Sequence, residues 1–301
     1  MMKKIFISCL ILATPTLYSQ TEIDGLMMPK KNICLGGIFQ NSTWDKFWEG
    51  TFKRENLNLG TVSTTSYAFN ANYGITDKIN IIVGLPYIQT KATAGTLIGQ
   101  NGFQDFSFTL KCKVIEKKVE KTTFSLIALT GISIPTTNYV ADYLPVSIGL
   151  QSKTSTFRLM GDYQIGKIFA TLSAAYVARA NITIDRDAYF TTEYHYTNEV
   201  AMPDVYTNNL RIGCRSDQLI AEAVYDNWLT LGGFDITKNN MSFPSNMMNI
   251  SKIGFHGKYT FKKLNGLALL GGYNYVINGR NVGQSKSFYG GLFYTINFNK
   301  L

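Results

Sequence analysis

The sequence predicts an all-β protein: a transmembrane, antiparallel, up-and-down β-barrel of about 12 strands that follows an N-terminal signal peptide. Three observations support this prediction. Apolar and polar residues alternate with a period of two, such runs recur along the chain, and the connections between them are alternately long and short. A period of two places successive side chains on opposite faces of a strand. Because no helical pattern supplies a cover for the apolar face, we expect that face to contact lipid.

The clearest alternation lies between Asp105 and Val114, where every even position is apolar and every odd position is polar or charged. The charged run from Glu116 to Lys121 is predicted to form a tight turn. A second extended run, from Phe124 to Ile134, would then return beside the first. These two runs define the hairpin pattern that the rest of the chain repeats.

The N-terminus has the pattern of a secretory signal peptide. Lys3 and Lys4 give a positive start, an apolar core extends to about Pro15, and Ser19 is a small residue near the expected cleavage site. The apolar core is too short to cross a membrane as a helix. The predicted division of the chain is residues 1–19 as signal peptide, 20–31 as a short periplasmic lead and 32–301 as the outer-membrane barrel.

Twelve extended segments follow the lead, an even count with alternating short turns and longer loops, as in bacterial outer-membrane barrels. Each has the roughly 9 to 11 residues that a tilted strand needs to cross a bilayer. Closure matters because an open sheet in lipid would leave backbone N–H and C=O groups unpaired at its edges, at a cost of several kcal/mol for each group. A secreted β-sandwich is the alternative, since its strands alternate similarly. The predicted strands are 32–40, 60–75, 79–87, 105–114, 124–134, 153–165, 168–184, 206–215, 218–226, 253–261, 267–275 and 288–298.

The charge balance stays basic after signal-peptide removal, with 27 Lys and Arg against 20 Asp and Glu. Basic proteins often bind nucleic acid. Here the basic residues are scattered singly through strands of an exported chain, so no nucleic-acid partner is expected. Cys34, Cys112 and Cys214 lack metal-ligand spacing and are interpreted as small apolar side chains. The sequence predicts no metal site and no cofactor.

The polar face of the predicted strands would line the interior of the barrel. It carries eight basic and four acidic residues, a balance that favours anionic or polarisable solutes. Arg211 and Arg215 are predicted to face Glu222 and Asp226 across one turn, as structural ion pairs, because a buried charge without a partner is costly. The candidates for lining the lumen are Lys111, Lys113, Arg158, Asp162, Arg211, Arg215, Glu222, Asp226, Lys252, His256 and Lys258.

Aromatic residues concentrate in two of the predicted loops. Trp44 and Trp48 are predicted to anchor the barrel at the membrane interface, where amphipathic rings are favoured. The loop from Asp185 to Pro203 has two interpretations, a lid that contacts apolar solutes or a surface loop that packs on itself. Its aromatic candidates are Tyr189, Phe190, Tyr194 and Tyr196.

Several short motifs, mostly turn residues, resemble the outer-membrane family named for the MetA pathway of phenol degradation. The likeness extends from about Gly60 to the C-terminus and departs at Gln104 and Thr137, where that family more often has Gly. The resemblance implies an outer-membrane transporter of small, often aromatic or hydrophobic compounds, and it supplies no catalytic residues. The motifs are 73–78 (YGITDK), 84–87 (GLPY), 102–105 (GFQD) and 134–136 (IPT).

The function predicted from these features is a passive channel for small solutes in the cell outer membrane. Twelve strands lie between filled eight-stranded barrels and open porins of 16 to 18 strands, so a narrow or partly plugged pore is expected. The expected partners are outer-membrane lipid, a small solute and the barrel-assembly machinery. Two alternatives remain: a structural or adhesive barrel with a plugged lumen, and a lipid hydrolase using His256 beside a serine and a carboxylate. No enzyme activity is predicted.

Overall fold

The computed structural model describes residues 21–237, 241–264 and 266–298, so the predicted signal peptide lies outside the described residues. No helix within these ranges is long and apolar enough to span a membrane. Twelve long strands make up the fold: β1 (Asn32–Trp44), β2 (Val62–Thr76), β3 (Ile79–Ala92), β4 (Asp105–Val119), β5 (Thr122–Pro135), β6 (Thr154–Ile165), β7 (Ile168–Arg179), β8 (Val205–Arg215), β9 (Leu219–Thr230), β10 (Asn249–Thr260), β11 (Leu267–Arg280) and β12 (Lys286–Asn297).

The twelve strands form a closed antiparallel barrel. Each strand pairs with its neighbours along the chain, and β12 pairs with β1 from Asn32 opposite Asn297 to Thr43 opposite Lys286. Closure gives both edges of every long strand a hydrogen-bonding partner, as a hydrocarbon environment requires. The predicted fold class, an up-and-down antiparallel barrel of twelve strands, is confirmed.

The predicted alternation also appears as an apolar outer face and a polar inner face. On β4, for example, Phe106 and Phe108 are exposed whereas Thr109 and Lys111 are buried. Water-soluble proteins rarely expose a continuous apolar surface of this kind, whereas a lipid-facing barrel wall requires one. The exposed large apolar side chains include Tyr67, Phe69, Phe157, Leu159, Leu172, Ile212, Phe255, Leu269, Tyr273 and Leu292.

The two ends of the barrel differ in the length of their connections. At one end, called here the turn end, short connections join the strands at 77–78, 120–121, 166–167, 216–218 and 261–266. At the other, the loop end, the connections are mostly longer: 45–61, 93–104, 136–153, 180–204, 231–248 and 281–285.

Several predicted element boundaries are wrong. β1, β3, β9 and β11 each continue four or five residues farther toward the loop end than predicted. The run Glu116–Val119 is strand rather than turn, because Lys117 pairs with Phe124 and Val119 with Thr122, leaving a turn of two residues in which Glu120 has a φ of 51°. A tight hairpin turn needs such a positive φ. The seventh strand ends at Arg179, and the short strand that follows pairs outside the barrel, Ile182–Thr183 with Glu199–Val200.

The loops carry small sheets and a hydrophobic core of their own. Lys46–Glu49 pairs with Phe52–Glu55, and Tyr189–Phe190 pairs with Tyr194–His195. A buried cluster joins three different loops at the loop end, so these loops hold one another in place. Its members are Ala141, Ile182, Ile184, Val200, Met202 and Phe243.

Candidate functional site: the barrel lumen

The lead segment, Thr21–Lys31, lies within the turn end of the barrel. Met28 is fully buried, and its backbone N–H and C=O exchange hydrogen bonds of 2.8 Å with the side-chain amide of Asn80. The Lys31 N–H donates to the Gly74 carbonyl at 2.8 Å, so the lead enters beside the start of β1. The sequence predicts a periplasmic lead over residues 20–31, and in the structure polar wall residues pair with the backbone of its described part at the turn end.

Two glycines allow the lead to approach the wall closely. A Cβ on Gly25 would lie 2.1 Å from Oδ1 of Asp162, and one on Gly74 would lie 2.1 Å from the Pro29 carbonyl oxygen. Both distances are far shorter than atomic contact allows, so the absence of a side chain is required at each position.

Lys111 holds the lead electrostatically. Its fully buried ammonium donates to the Thr21 carbonyl at 2.9 Å and the Asp24 carbonyl at 2.7 Å, and it lies 3.2 Å from Oδ1 of Asp24. A lysine has three N–H donors, and these three acceptors use all of them. Nearby, Thr109 Oγ1 donates to Glu22 Oε1 at 2.6 Å. Lys111 is therefore a ligand of the lead rather than an open pore charge.

The wall beside the lead carries two buried ion pairs, one of which was not predicted. Arg211 pairs with Glu222, as predicted. Arg215 pairs with Asp162 at 3.1 Å and 3.2 Å, not with Asp226. Since Asp162 lies on β6 and Arg215 on β8, the arginine reaches over β7, where its guanidinium lies 4.0 Å from the ring centre of Phe169.

Asp226 has a different partner because of the strand register. It sits opposite Lys252 on β10, and the two side chains form an ion pair of 3.5 Å. Arg215 sits opposite Ile220 at the turn end, well separated along β9 from Asp226. The predicted Arg215–Asp226 pair is therefore wrong.

The other lumen candidates have separate environments. Lys113 pairs with Glu116 at 2.8 Å near the turn end, and Lys258 is buried in the wall. Arg158 donates to Ser173 Oγ at 2.9 Å. His256 Nδ1 hydrogen-bonds the Tyr289 hydroxyl at 2.9 Å. All eleven sequence candidates occupy inward-facing positions, and those that are buried are Lys111, Asp162, Arg211, Arg215, Glu222 and Lys258.

Two cavities lie in the lumen, one on each side of the tip of the lead. The loop-side cavity has a volume of about 280 Å³ and is lined in part by Arg158, Asn209, Trp228 and Lys252. The turn-side cavity has a volume of about 320 Å³, and its lining includes Glu22, Asn70 and Ser107. Ile23 lines both cavities, so the lead stands between them. Sequence reasoning missed this partition; the only signal for it is the placement of Glu22, Asp24 and Gly25 directly after the predicted cleavage site.

The histidines do not form the arrangement that a hydrolase would need. His256 hydrogen-bonds a tyrosine hydroxyl, and His195 Nε2 hydrogen-bonds Thr191 Oγ1 at 2.8 Å. A nucleophile, a base and an orienting group must be in mutual reach. In the described part of the chain, neither histidine hydrogen-bonds both a serine and a carboxylate.

Of the aromatic candidates in the loop 185–203, one is packed and three are exposed. Tyr189 stacks on His195 and Phe243, with ring centres 4.8 Å and 5.2 Å apart, so the self-packing interpretation holds for this residue. Tyr194 and Tyr196 are 70% and 87% exposed, and Phe190 is also exposed. The structure thus shows self-packing for Tyr189, and the lid interpretation stays a prediction.

Trp48 does not anchor the barrel in lipid, contrary to prediction. It is only 6% exposed, and its backbone N–H donates to the Val282 carbonyl at 2.9 Å. Its ring lies against Gly279, where a Cβ would approach it to 2.7 Å. The hairpin 46–55 folds over the β11–β12 connection and buries the indole that the sequence predicts to lie at the membrane interface.

Comparisons with known proteins show the fold. No family model matches the sequence, and no curated protein matches it. The COG4313 outer membrane channel from Pseudomonas putida F1 is similar at a TM-score of 0.74 and 12% identity, over 92% of this chain and 100% of that one.

Two further solved structures are more distant. A mutant of the TodX monoaromatic hydrocarbon channel has a TM-score of 0.46 and 9% identity, over 90% of this chain and 91% of that one. The translocator domain of the autotransporter NalP from Neisseria meningitidis has a TM-score of 0.45 and 13% identity, over 91% of each chain. The likeness to the COG4313 channel, at 12% identity, establishes a shared barrel fold.

Proposed function

We propose that this protein is an outer-membrane channel for the passive diffusion of small solutes, with the lead segment as its constriction. The observation that carries the proposal is a closed barrel with an apolar outer face whose polar lumen holds cavities on both sides of Ile23. The fold is shared with a protein described as an outer membrane channel. The lining of the loop-side cavity is largely polar and includes Arg158 and Lys252, as an aqueous path for solutes requires.

The proposed location and orientation follow from the two faces and the two ends. The exposed aromatic and aliphatic belt suits hydrocarbon, and outer-membrane barrels have short periplasmic turns and longer external loops. The turn end, with the lead, would therefore face the periplasm, and the loop end would face outside. Export by a cleaved signal peptide and insertion by the barrel-assembly machinery belong to this proposal.

The proposed solutes are small and biased towards anions. Lumen cations outnumber lumen anions on the strands, and fixed charge in a pore selects permeating ions by sign. The lead reduces this excess, because Glu22 and Asp24 add two carboxyl groups to the interior. The resemblance to the MetA-pathway family adds aromatic or hydrophobic compounds to the candidates.

Planar-bilayer recording of the purified protein tests the proposal. The intact chain should give small, steady conductance steps, and a variant lacking residues 21–28 should give larger steps because the two cavities then join. Liposome swelling with sugars and small organic acids would rank the solutes. Absence of conductance in both the intact chain and the shortened variant would reject the channel.

A second candidate, an adhesive barrel, is favoured by the exposed aromatic tip at the loop end, Tyr194 and Tyr196. Aromatic side chains exposed together often belong to an interaction surface. Replacing both tyrosines by serine should reduce adhesion of expressing cells if the tip is adhesive, and conductance should be unchanged.

A further inference from the structure

Arg158 differs from Arg211 and Arg215 of the lumen wall in its partners. Its Nη1 donates to Ser173 Oγ at 2.9 Å, and it forms no ion pair with any carboxylate in the described part of the barrel. Arg211 and Arg215 each lie in a buried ion pair with a wall carboxylate. A guanidinium carries five N–H donors, so most of the donors of Arg158 have no acceptor among the residues that the structure describes.

The carboxylate lining the same cavity is already engaged. Asp226 pairs with Lys252 at 3.5 Å and accepts a short hydrogen bond from the Asn209 side-chain amide. Lys252 therefore has a contacting carboxylate, whereas Arg158 has none within 4.0 Å among the described residues. The cavity thus contains one guanidinium whose charge is not matched by a contacting anion.

The lining of the loop-side cavity combines polar and apolar surfaces. Asn274, Ser285 and Ser287 supply further hydrogen-bonding groups, whereas Trp228, Ile250 and Val276 supply an apolar surface. A volume of about 280 Å³ is near the lower limit of known small-molecule sites. These features suit a small solute with an anionic group at one end and an apolar body at the other.

We propose that Arg158 is the anion-binding residue of a solute subsite in the loop-side cavity, and that the ligand class is a small organic carboxylate with an apolar body. The planar guanidinium matches a carboxylate in bidentate geometry, which a lysine cannot do. The Trp228 face of the cavity would contact the apolar body. This inference rests on the proposed channel function for its physiological meaning, but binding itself can be measured separately.

The test is a titration of the folded protein in detergent with benzoate, followed by tryptophan fluorescence. Benzoate should change the emission saturably, and Trp228→Phe should remove that change, since the other tryptophans, Trp44 and Trp48, do not line this cavity. Arg158→Gln should weaken binding about tenfold or more, because a charge-assisted hydrogen bond is lost. Arg158→Lys, which retains the charge, should weaken it less.

Matched controls distinguish binding at Arg158 from a general effect of the lumen charge on anions. Lys113→Gln removes the same charge from the lumen near the turn end, away from the loop-side cavity, and should leave benzoate binding unchanged. Benzyl alcohol has a similar body without the charge and should show no dependence on Arg158. Inorganic phosphate has charge without the body and should bind more weakly than benzoate.

The inference is overturned if benzoate does not bind the native protein, if Arg158→Gln binds it as well as native protein does, or if Lys113→Gln loses equal affinity. Phosphate binding as tight as benzoate would also overturn the proposed ligand class. Failure of the channel proposal would look different, since potassium chloride would then give no conductance while the fluorescence titration still reported the site.

Discussion

The Nζ atom of Lys111 lies 3.2 Å from Oδ1 of Asp24, and this contact ties the lead segment to the barrel wall. The same ammonium also donates to the Thr21 and Asp24 carbonyls at 2.9 Å and 2.7 Å. A buried cation thus serves as the attachment point of a segment that divides the lumen. The width of the proposed pore depends on this attachment.

Replacing Lys111 with methionine should release the lead and enlarge the conductance. The change leaves the Asp24 carboxylate buried without its cation, a situation that costs about 3–5 kcal/mol in other proteins. Single-channel recording would show larger or more frequent large steps. Lys113→Met is the control, because Lys113 pairs with Glu116 near the turn end and should change conductance little. Equal conductance in native protein and Lys111→Met would contradict this role.

The buried pair of Arg211 and Glu222 should show strong coupling in a double-mutant cycle. Arg211→Met and Glu222→Leu each leave one uncompensated buried charge and should each lower the free energy of unfolding by about 3–5 kcal/mol. The double variant should lose much less than the sum of the two. Urea unfolding in a refolding detergent or bilayer measures this.

The exposed pair of Lys46 and Glu55 provides the contrast for that cycle. Its atoms are 3.8 Å apart, and the side chains are 46% and 67% exposed. Exposed pairs contribute about 0–1 kcal/mol, so its coupling should be small. Similar coupling in both cycles would show that burial is not what makes the first pair strong.

Substitution of Leu172 tests whether the outer face of the barrel contacts lipid. Leu172 is 60% exposed and lies near the middle of β7, between Gly161 and Leu210 on the neighbouring strands. Leu172→Arg should destabilise the protein in a bilayer by about 2–4 kcal/mol, the cost of a cation at the midplane of a barrel wall. In a water-soluble protein the same exposed substitution would change stability little.

Val119→Arg is the matched control for Leu172. Val119 is 67% exposed and ends β4 at the turn end, so it should lie near or outside the membrane boundary and cost at most about 1 kcal/mol. Equal, small effects of the two arginines on unfolding would contradict a lipid-facing belt.

The segment Gly233–Ile236 should loosen in acid. Hydrogen bonds from Arg280 at 2.8 Å and 2.6 Å hold the pKa of Asp235 below its ordinary value of 3.8. Because the folded pKa is the lower one, the stabilising contribution is fully present above 3.8 and is lost as the pH falls through the folded pKa. Hydrogen exchange of Gly233 to Ile236 should therefore accelerate in that range.

Asp235→Asn should produce the same loosening at neutral pH, since it removes the charge that Arg280 binds. Asp217→Asn, in an exposed turn at the opposite end, should leave exchange in this loop unchanged. If the amides of Gly233 to Ile236 exchange at the native rate in the Asp235→Asn variant, the ion pair does not hold this segment in place.

Much of the wall could be predicted locally. Alternation over positions such as Phe108 and Lys111 depends only on the strand period, so each inward position follows from its neighbours in sequence. Loop contents could not be predicted in this way. Trp48 is buried by the β11–β12 connection, more than 200 residues away in the chain, and no local pattern encodes that contact.

The sequence by itself determined the barrel, its twelve strands and the side of the wall that each candidate residue faces, because side-chain direction in a strand is a local property. Only the tertiary structure decided that the lead fills the turn end, that Arg215 reaches over β7 to Asp162, and that Arg158 contacts no carboxylate in the described part of the barrel. Those outcomes depend on distances across a closed lumen, which closure and register set together and which no single strand specifies.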